Sequence, residues 1–189
     1  MTASRIALVT GANQGLGHAL VEGLGAGMAP HDRVLLTGRD AARVEAAAAI
    51  AAGPAIAHVE GRVLDVRDPA AIAALAAELG EVDIVFSNAT ARMSPDADPV
   101  DEVDAVAETS DLAHNKLVMA LCPGLIDTDA SRPWFDDMSQ ALTPAQAAVW
   151  PVALALAPQF DPAFYGELVQ FGKVLPWTSG IPVAHSATT

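Results

Sequence analysis

An α/β fold with a doubly wound, mostly parallel sheet of about six strands and helices on both faces is predicted by three observations. Apolar strand-like runs alternate with alanine-rich helical stretches along the chain. The first run passes directly into a glycine-rich turn that opens a helix. No linker and no repeat of fixed period divides the 189 residues, so 1–189 is expected to form a single domain.

The strand-like runs fall at 6–10, 33–37, 56–66, 82–87, 117–122 and 167–174. Between them, 41–52 and 70–79 are helical by propensity. The second of these starts at Asp68-Pro69, a capping aspartate followed by proline in the first turn, and Thr143-Pro144 opens a helix through 157 in the same way. Pro151 is expected to kink that helix. The acidic stretch 96–110 carries Val100, Val103 and Val106 near helical spacing and reads as another crossover helix.

Composition narrows the partners. With 52% hydrophobic residues and 17% charged, disorder over most of the length is excluded. A formal net charge of −13 opposes binding to nucleic acid and to anionic lipid, so a phosphate-bearing ligand must be held by local amides and a few arginines. Cys122 is the only cysteine, which points to a reducing, cytoplasmic setting. No signal peptide is evident at Met1-Thr2-Ala3-Ser4-Arg5, and the apolar stretch 147–157, interrupted by Pro151, falls short of the ~20 residues a membrane span needs. A soluble protein is expected.

The turn after the first run reads Thr10-Gly11-Ala12-Asn13-Gln14-Gly15-Leu16-Gly17. Gly11 permits the sharp turn, Gly15 lets backbone approach a pyrophosphate, and Gly17 lets the helix pack close to the strand. The helix amides and dipole then face an anion, which makes this a candidate dinucleotide site. A glycine-rich turn without a ligand is the alternative. Arg39 lies 22 residues beyond Gly17, where such folds place an acid for the ribose hydroxyls or an arginine for a 2′-phosphate. The guanidinium favours NADP over NAD, although Asp40 follows it and an ordinary surface arginine reads the same way.

Four further motifs stand at strand ends in order: Thr37-Gly38-Arg39, Leu64-Asp65-Val66, Asn88-Ala89, and Cys122-Pro123-Gly124-Leu125-Ile126-Asp127-Thr128. With the glycine spacing, they resemble the short-chain dehydrogenase/reductase family over most of the chain. The resemblance implies a Rossmann fold and hydride transfer between a nicotinamide dinucleotide and a small carbonyl or alcohol. It implies that Asp65 and Val66 hold the adenine edge and that Asn88 and Ala89 line the cofactor floor. It also implies that the loop with Pro123, Gly124 and Ile126 meets the nicotinamide amide, while Thr128 contacts amide or phosphate. Helix capping or a turn stands as the alternative for Asp65, and a turn for Asn88. Residues 125–142, with Trp134 and Phe135, match the family's variable substrate lid, or else form an aromatic cluster on the core.

The family's proton-transfer pair, Tyr-x-x-x-Lys on a helix with a serine and an asparagine nearby, has no counterpart in this sequence. The only tyrosine is Tyr165, with Val169 four residues on, and the only lysines are Lys116 and Lys173. Ser110 or Asp111 occupies the asparagine position and Asn115 is out of register. The chain passes from the acidic stretch to the Pro-Gly strand through Asp111-Leu112-Ala113-His114-Asn115 alone, where the family has a strand and long helices. No catalytic residue is therefore assigned. His114 and Cys122 sit near the gap, but a loop histidine is usually solvated and a strand cysteine usually packs as a small hydrophobe. The missing helices are the family's usual dimerisation surface, so its tetramer is expected to be weakened or lost. No metal site is expected.

Overall fold

The computed structural model describes residues 4–89 and 119–176. Four strands form a parallel sheet in the order β3-β2-β1-β4: β1 Ile6–Val9, β2 Arg33–Gly38, β3 His58–Val63 and β4 Ile84–Phe86. Helices α1 Gly15–Gly27, α2 Ala41–Ala52 and α3 Pro69–Leu79 connect them. Strand alternation turns Ala7, Val9, Val34 and Leu36 into one core with Leu20, Val21 and Leu24 of α1 and Val44 and Ala47 of α2. From β3 to β4 the chain runs back past β2 and β1. A right-handed crossover in that direction lies on the face opposite α1 and α2. α3 accordingly takes no part in this core and buries none of its residues.

Each of the six expected runs contains strand residues, yet the strands divide between two hydrogen-bonded sheets. β5 Ala120–Leu121 pairs in parallel with β6 Leu168–Gln170, which turns back into β7 Lys173–Leu175. The single strand expected over 167–174 is thus a hairpin. Its two-residue turn needs positive φ at both central positions, supplied here by Phe171 (φ 46) and Gly172 (φ 76). Phenylalanine is a poor occupant of that conformation, which is why the apolar run gave no turn signal. The helix expected over 96–110, and Ser110 through Lys116 with it, lie outside the described residues.

Helix α4, Pro144–Ala155, lies against α1. A Cβ at Gly23 would stand 2.9 Å from Val152 Cγ2, so α1 admits α4 only because that position is bare. The α4 start is a capping box: the Gln146 amide donates to Thr143 Oγ1 at 3.2 Å, and the Thr143 amide donates to Gln146 Oε1 at 2.9 Å. The helix continues through Pro151, which is buried. Thr143→Ala is expected to lower stability by about 1 kcal/mol, read as a shift in the urea midpoint at unchanged slope.

The turn between α1 and β2 is held by a buried carboxylate. Asp32, 1% exposed, accepts from the amides of Arg5 (2.9 Å) and Ala29 (3.0 Å) and from the Arg5 guanidinium (3.2 Å). This ties the entry of β2 to the entry of β1 and fixes where both strands end, and the loops at those ends form the site.

Candidate functional site

The glycine turn is clasped by β4's far end. Buried Thr10 accepts at Oγ1 from the amides of Asn88 and Ala89, each at 3.0 Å. The Asn88 side-chain amide donates to the carbonyls of Thr10 (3.0 Å) and Gly11 (3.3 Å). Gly11 sits at φ +61, and a Cβ there would lie 2.8 Å from Ala89 Cα. At Gly17 a Cβ would lie 2.5 Å from Asn88 Nδ2. Asn88 therefore sits against the glycine turn.

Helix α1 starts differently from the others. Asp40, Asp68 and Thr143 each accept amides at the start of α2, α3 and α4, whereas extended Gln14 gives α1 no side-chain cap. The first-turn amides of α1 are thus left without a capping side chain beside a turn too tight for side chains. This donor set fits a pyrophosphate.

Around it stand the other expected residues. Asn13 Oδ1 lies 3.1 Å from where a Gly38 Cβ would be, which brings the turn to the end of β2. Gln14 Oε1 accepts from Arg43 of α2, and Leu16 packs against the core. Arg39 is exposed just past β2. The Leu64 amide donates to the Gly38 carbonyl at 2.9 Å, so Asp65 and half-buried Val66 emerge beside Arg39. Asp65 accepts from the Arg67 amide (3.0 Å), Nε (3.1 Å) and Nη2 (2.8 Å). The Arg67 side chain chiefly, then its amide, and with a smaller part from the Arg39 charge, hold the carboxyl down at about 2 against the opposing effect of burial. Asp65 does not cap α3, where Asp68 accepts from Ala70 and Ala71, but by accepting the Arg67 amide two residues on it forms the turn that is its other alternative.

The segment after β5 reaches the same place. Thr128 Cγ2 lies 3.5 Å from the position of a Gly15 Cβ. Thr128 is held by Ser131, whose hydroxyl lies 3.0 Å from Thr128 Oγ1 and also donates to the Ile126 carbonyl. Sequence reading missed Ser131; its signal was the Thr-x-x-Ser spacing. Gly124 (φ +80), after half-buried Pro123, is faced by the Phe171 ring, and Cys122 Sγ accepts from Gln170 Nε2 at 3.3 Å. The loop 125–142 is stitched at its base, where the Leu142 amide donates to Leu125 O (2.9 Å) and the Asp127 amide to Leu142 O (2.8 Å). Beyond the base, Arg132 pairs with Asp127 and Asp129, both at 2.7 Å, while Trp134 and Phe135 are 47% and 50% exposed. Those two rings are not packed into the core.

The family profile for short chain dehydrogenases matches residues 5–117. The chain belongs to that family. Solved structures share the fold of this chain. The KRED1-Pglu enzyme is 18% identical with a TM-score of 0.65, covering 88% of this chain and 100% of that one. An alcohol dehydrogenase from the archaeon Thermococcus sibiricus, complexed with 5-hydroxy-NADP, is 18% identical with a TM-score of 0.63, covering 89% and 96%. A metagenomic short-chain oxidoreductase in complex with NADP is 21% identical with a TM-score of 0.53, covering 88% and 96%. The chain spans 44% of a proposed betaketoacyl-ACP reductase, to which it is 32% identical over 56% of its own length with a TM-score of 0.44. No curated protein matches.

Tyr165 is 61% exposed, and Val169 four residues on is a buried residue of β6. Lys173 lies exposed on β7. His114, Asn115 and Lys116 lie outside the described residues. Among the described residues no group of His, Cys, Asp or Glu is placed to hold a metal, and no helix is long and apolar enough to cross a membrane.

Proposed function

We propose that this short-chain dehydrogenase binds NADP(H), with the pyrophosphate on the turn Gly11–Gly17, and that the family's tyrosine-lysine proton relay has no part in what it does. The carrying observation is the turn itself: two of its glycines leave no room for a Cβ, and its rim is built by Asn88, Ala89 and Thr128. Arg39 takes the 2′-phosphate, Asp65 and Val66 the adenine edge, and Asn88 and Ala89 the floor. Pro123, Gly124, Ile126 and Thr128 meet the nicotinamide end, and the loop 125–142 serves as substrate lid. The ionised state of Asp65 suits it to accept a hydrogen bond from an exocyclic amine.

The cofactor, when bound, supplies a hydride at nicotinamide C4 for a carbonyl, or accepts one from an alcohol. A proton must reach the carbonyl oxygen in the same event, and positioned acid catalysis contributes typically ~10²- to 10⁴-fold. Tyr165, with Val169 in the lysine position, does not provide that group. A nucleotide-responsive binding module is therefore favoured over a fast reductase.

A fluorescence titration with NADPH, run beside an NADPH-oxidation assay on simple ketones and aldehydes, tests this. Saturable binding of one NADPH per chain with no oxidation above background is expected. Turnover that survives Tyr165→Phe and His114→Ala would reveal a different proton donor and restore the enzyme reading. Absence of affinity for both NADPH and NADH would overturn the cofactor assignment.

A further inference from the structure

Among the described residues Phe171 is the one residue other than glycine with a positive φ (φ 46). It fills the first central position of the turn from β6 to β7, where Gln170 pairs with Lys173 and Gly172 (φ 76) follows. A left-handed backbone costs an aromatic residue free energy that asparagine in the same place would largely avoid, and Asn-Gly is the ordinary solution for such a turn. The ring gains little burial in return, being 51% exposed. A strained residue that does not serve its own hairpin needs another contact to account for it.

That contact is the segment after β5. Phe171 Cζ and Cε2 stand 3.6 and 3.9 Å from where a Gly124 Cβ would be, so the ring lies across the open side of Gly124. Gly124 is itself left-handed (φ +80), where a side chain of its own would be strained. Gln170 Nε2 lies 3.8 Å from the same point and donates to Cys122 Sγ at 3.3 Å. Two neighbouring residues of the hairpin thus hold both ends of Cys122-Pro123-Gly124, one by a hydrogen bond and the other by ring contact. The backbone there has little else: the Cys122 amide donates to Val169 O at 2.9 Å, and the next backbone bond of the segment among the described residues is at the Leu125 carbonyl.

We infer that Phe171 is a positioning residue, whose ring, kept in an unfavourable backbone conformation, braces Pro123-Gly124 in the shape that receives the nicotinamide end of the cofactor. The ligand rests on the cofactor reading above, and the brace on the hairpin geometry alone. A braced loop loses less freedom on binding, so the strain returns as affinity and not as stability. The two quantities therefore move in opposite directions when the ring is removed.

The test compares the wild type, Phe171→Asn and Phe171→Tyr by thermal melting, by fluorescence titration with NADPH, and by the rate at which iodoacetamide alkylates Cys122, the only thiol of the chain. Phe171→Asn suits the left-handed position and is expected to raise the melting temperature by about 2 °C. It is also expected to weaken NADPH about fivefold. Alkylation should quicken about threefold, because the unbraced loop opens more often. Phe171→Tyr keeps both ring and strain and behaves as the wild type in all three. A Phe171→Asn protein that melts no higher than the wild type overturns the inference, because the ring then serves the hairpin's own stability. Unchanged NADPH affinity or an unchanged alkylation rate in that variant overturns it too. A wild type with no affinity for NADPH or NADH overturns the cofactor reading instead. The alkylation rates then decide the brace, which stands if Phe171→Asn reacts faster and falls if the rates are equal.

Discussion

Asp32→Ala is expected to lower unfolding free energy by about 3 kcal/mol, the largest effect of any single side chain outside the hydrophobic core. The carboxylate is the shared acceptor of two amides and one guanidinium, and its removal leaves the amides of Arg5 and Ala29 without that partner. The Arg5 side chain is 43% exposed and regains water, which keeps the loss from being larger. Urea unfolding reads it directly. Burial pushes the Asp32 carboxyl up, but the amides of Arg5 and Ala29 and then the Arg5 guanidinium outweigh burial and hold it below the ordinary aspartate value. The folded chain thus gives up this proton more readily than the unfolded chain, so the stabilisation is complete above about pH 4 and is lost as pH falls below it. Asp65 acts with the same sign, down to about 2. In Asp32→Asn the acid limb of the stability curve should flatten. An unchanged limb would show that Asp32 is not a source of it.

Gly17→Ala is expected to abolish cofactor affinity, by roughly a hundredfold or more, and to cost about 2 kcal/mol of stability. The new Cβ would meet Asn88 Nδ2 at 2.5 Å and the backbone of Ala12 and Gly11 at 2.8 Å. Asn88 must then release the carbonyls of Thr10 and Gly11, and the turn opens. Gly53→Ala provides the control, since there the nearest atom is 3.5 Å away and the backbone is already right-handed helical. If Gly17→Ala bound NADPH like the wild type, close packing of Asn88 on the turn would have no role in the site.

The sequence was most readable where local pattern and tertiary demand coincide. Strand runs at 6–10 and 33–37 and the capped helix starts at Asp68 and Thr143 are set by residues within a few positions of one another, and they appear as expected. Glycine spacing located the turn for the same reason. It did not reveal what closes the turn, because Asn88 and Ala89 act across 77 to 79 positions. Asp32 carried no signal: an aspartate before a strand reads as a turn residue, and its burial depends on Arg5 arriving from 27 positions away. The bridge from Arg43 to Gln14 is equally non-local. At Phe171 local chemistry misled outright, since an aromatic in an apolar run argues for strand and the chain turns there instead.

The hydrogen bonds from Asn88 and Ala89 back to Thr10 and Gly11 also order events in time. Closing a loop of this length costs entropy that only the docked β4 edge repays, so the β1-α1-β2 unit can assemble well before the turn reaches its final shape. In the cofactor reading proposed above, a nucleotide meets the finished turn only after β4 has docked beside β1.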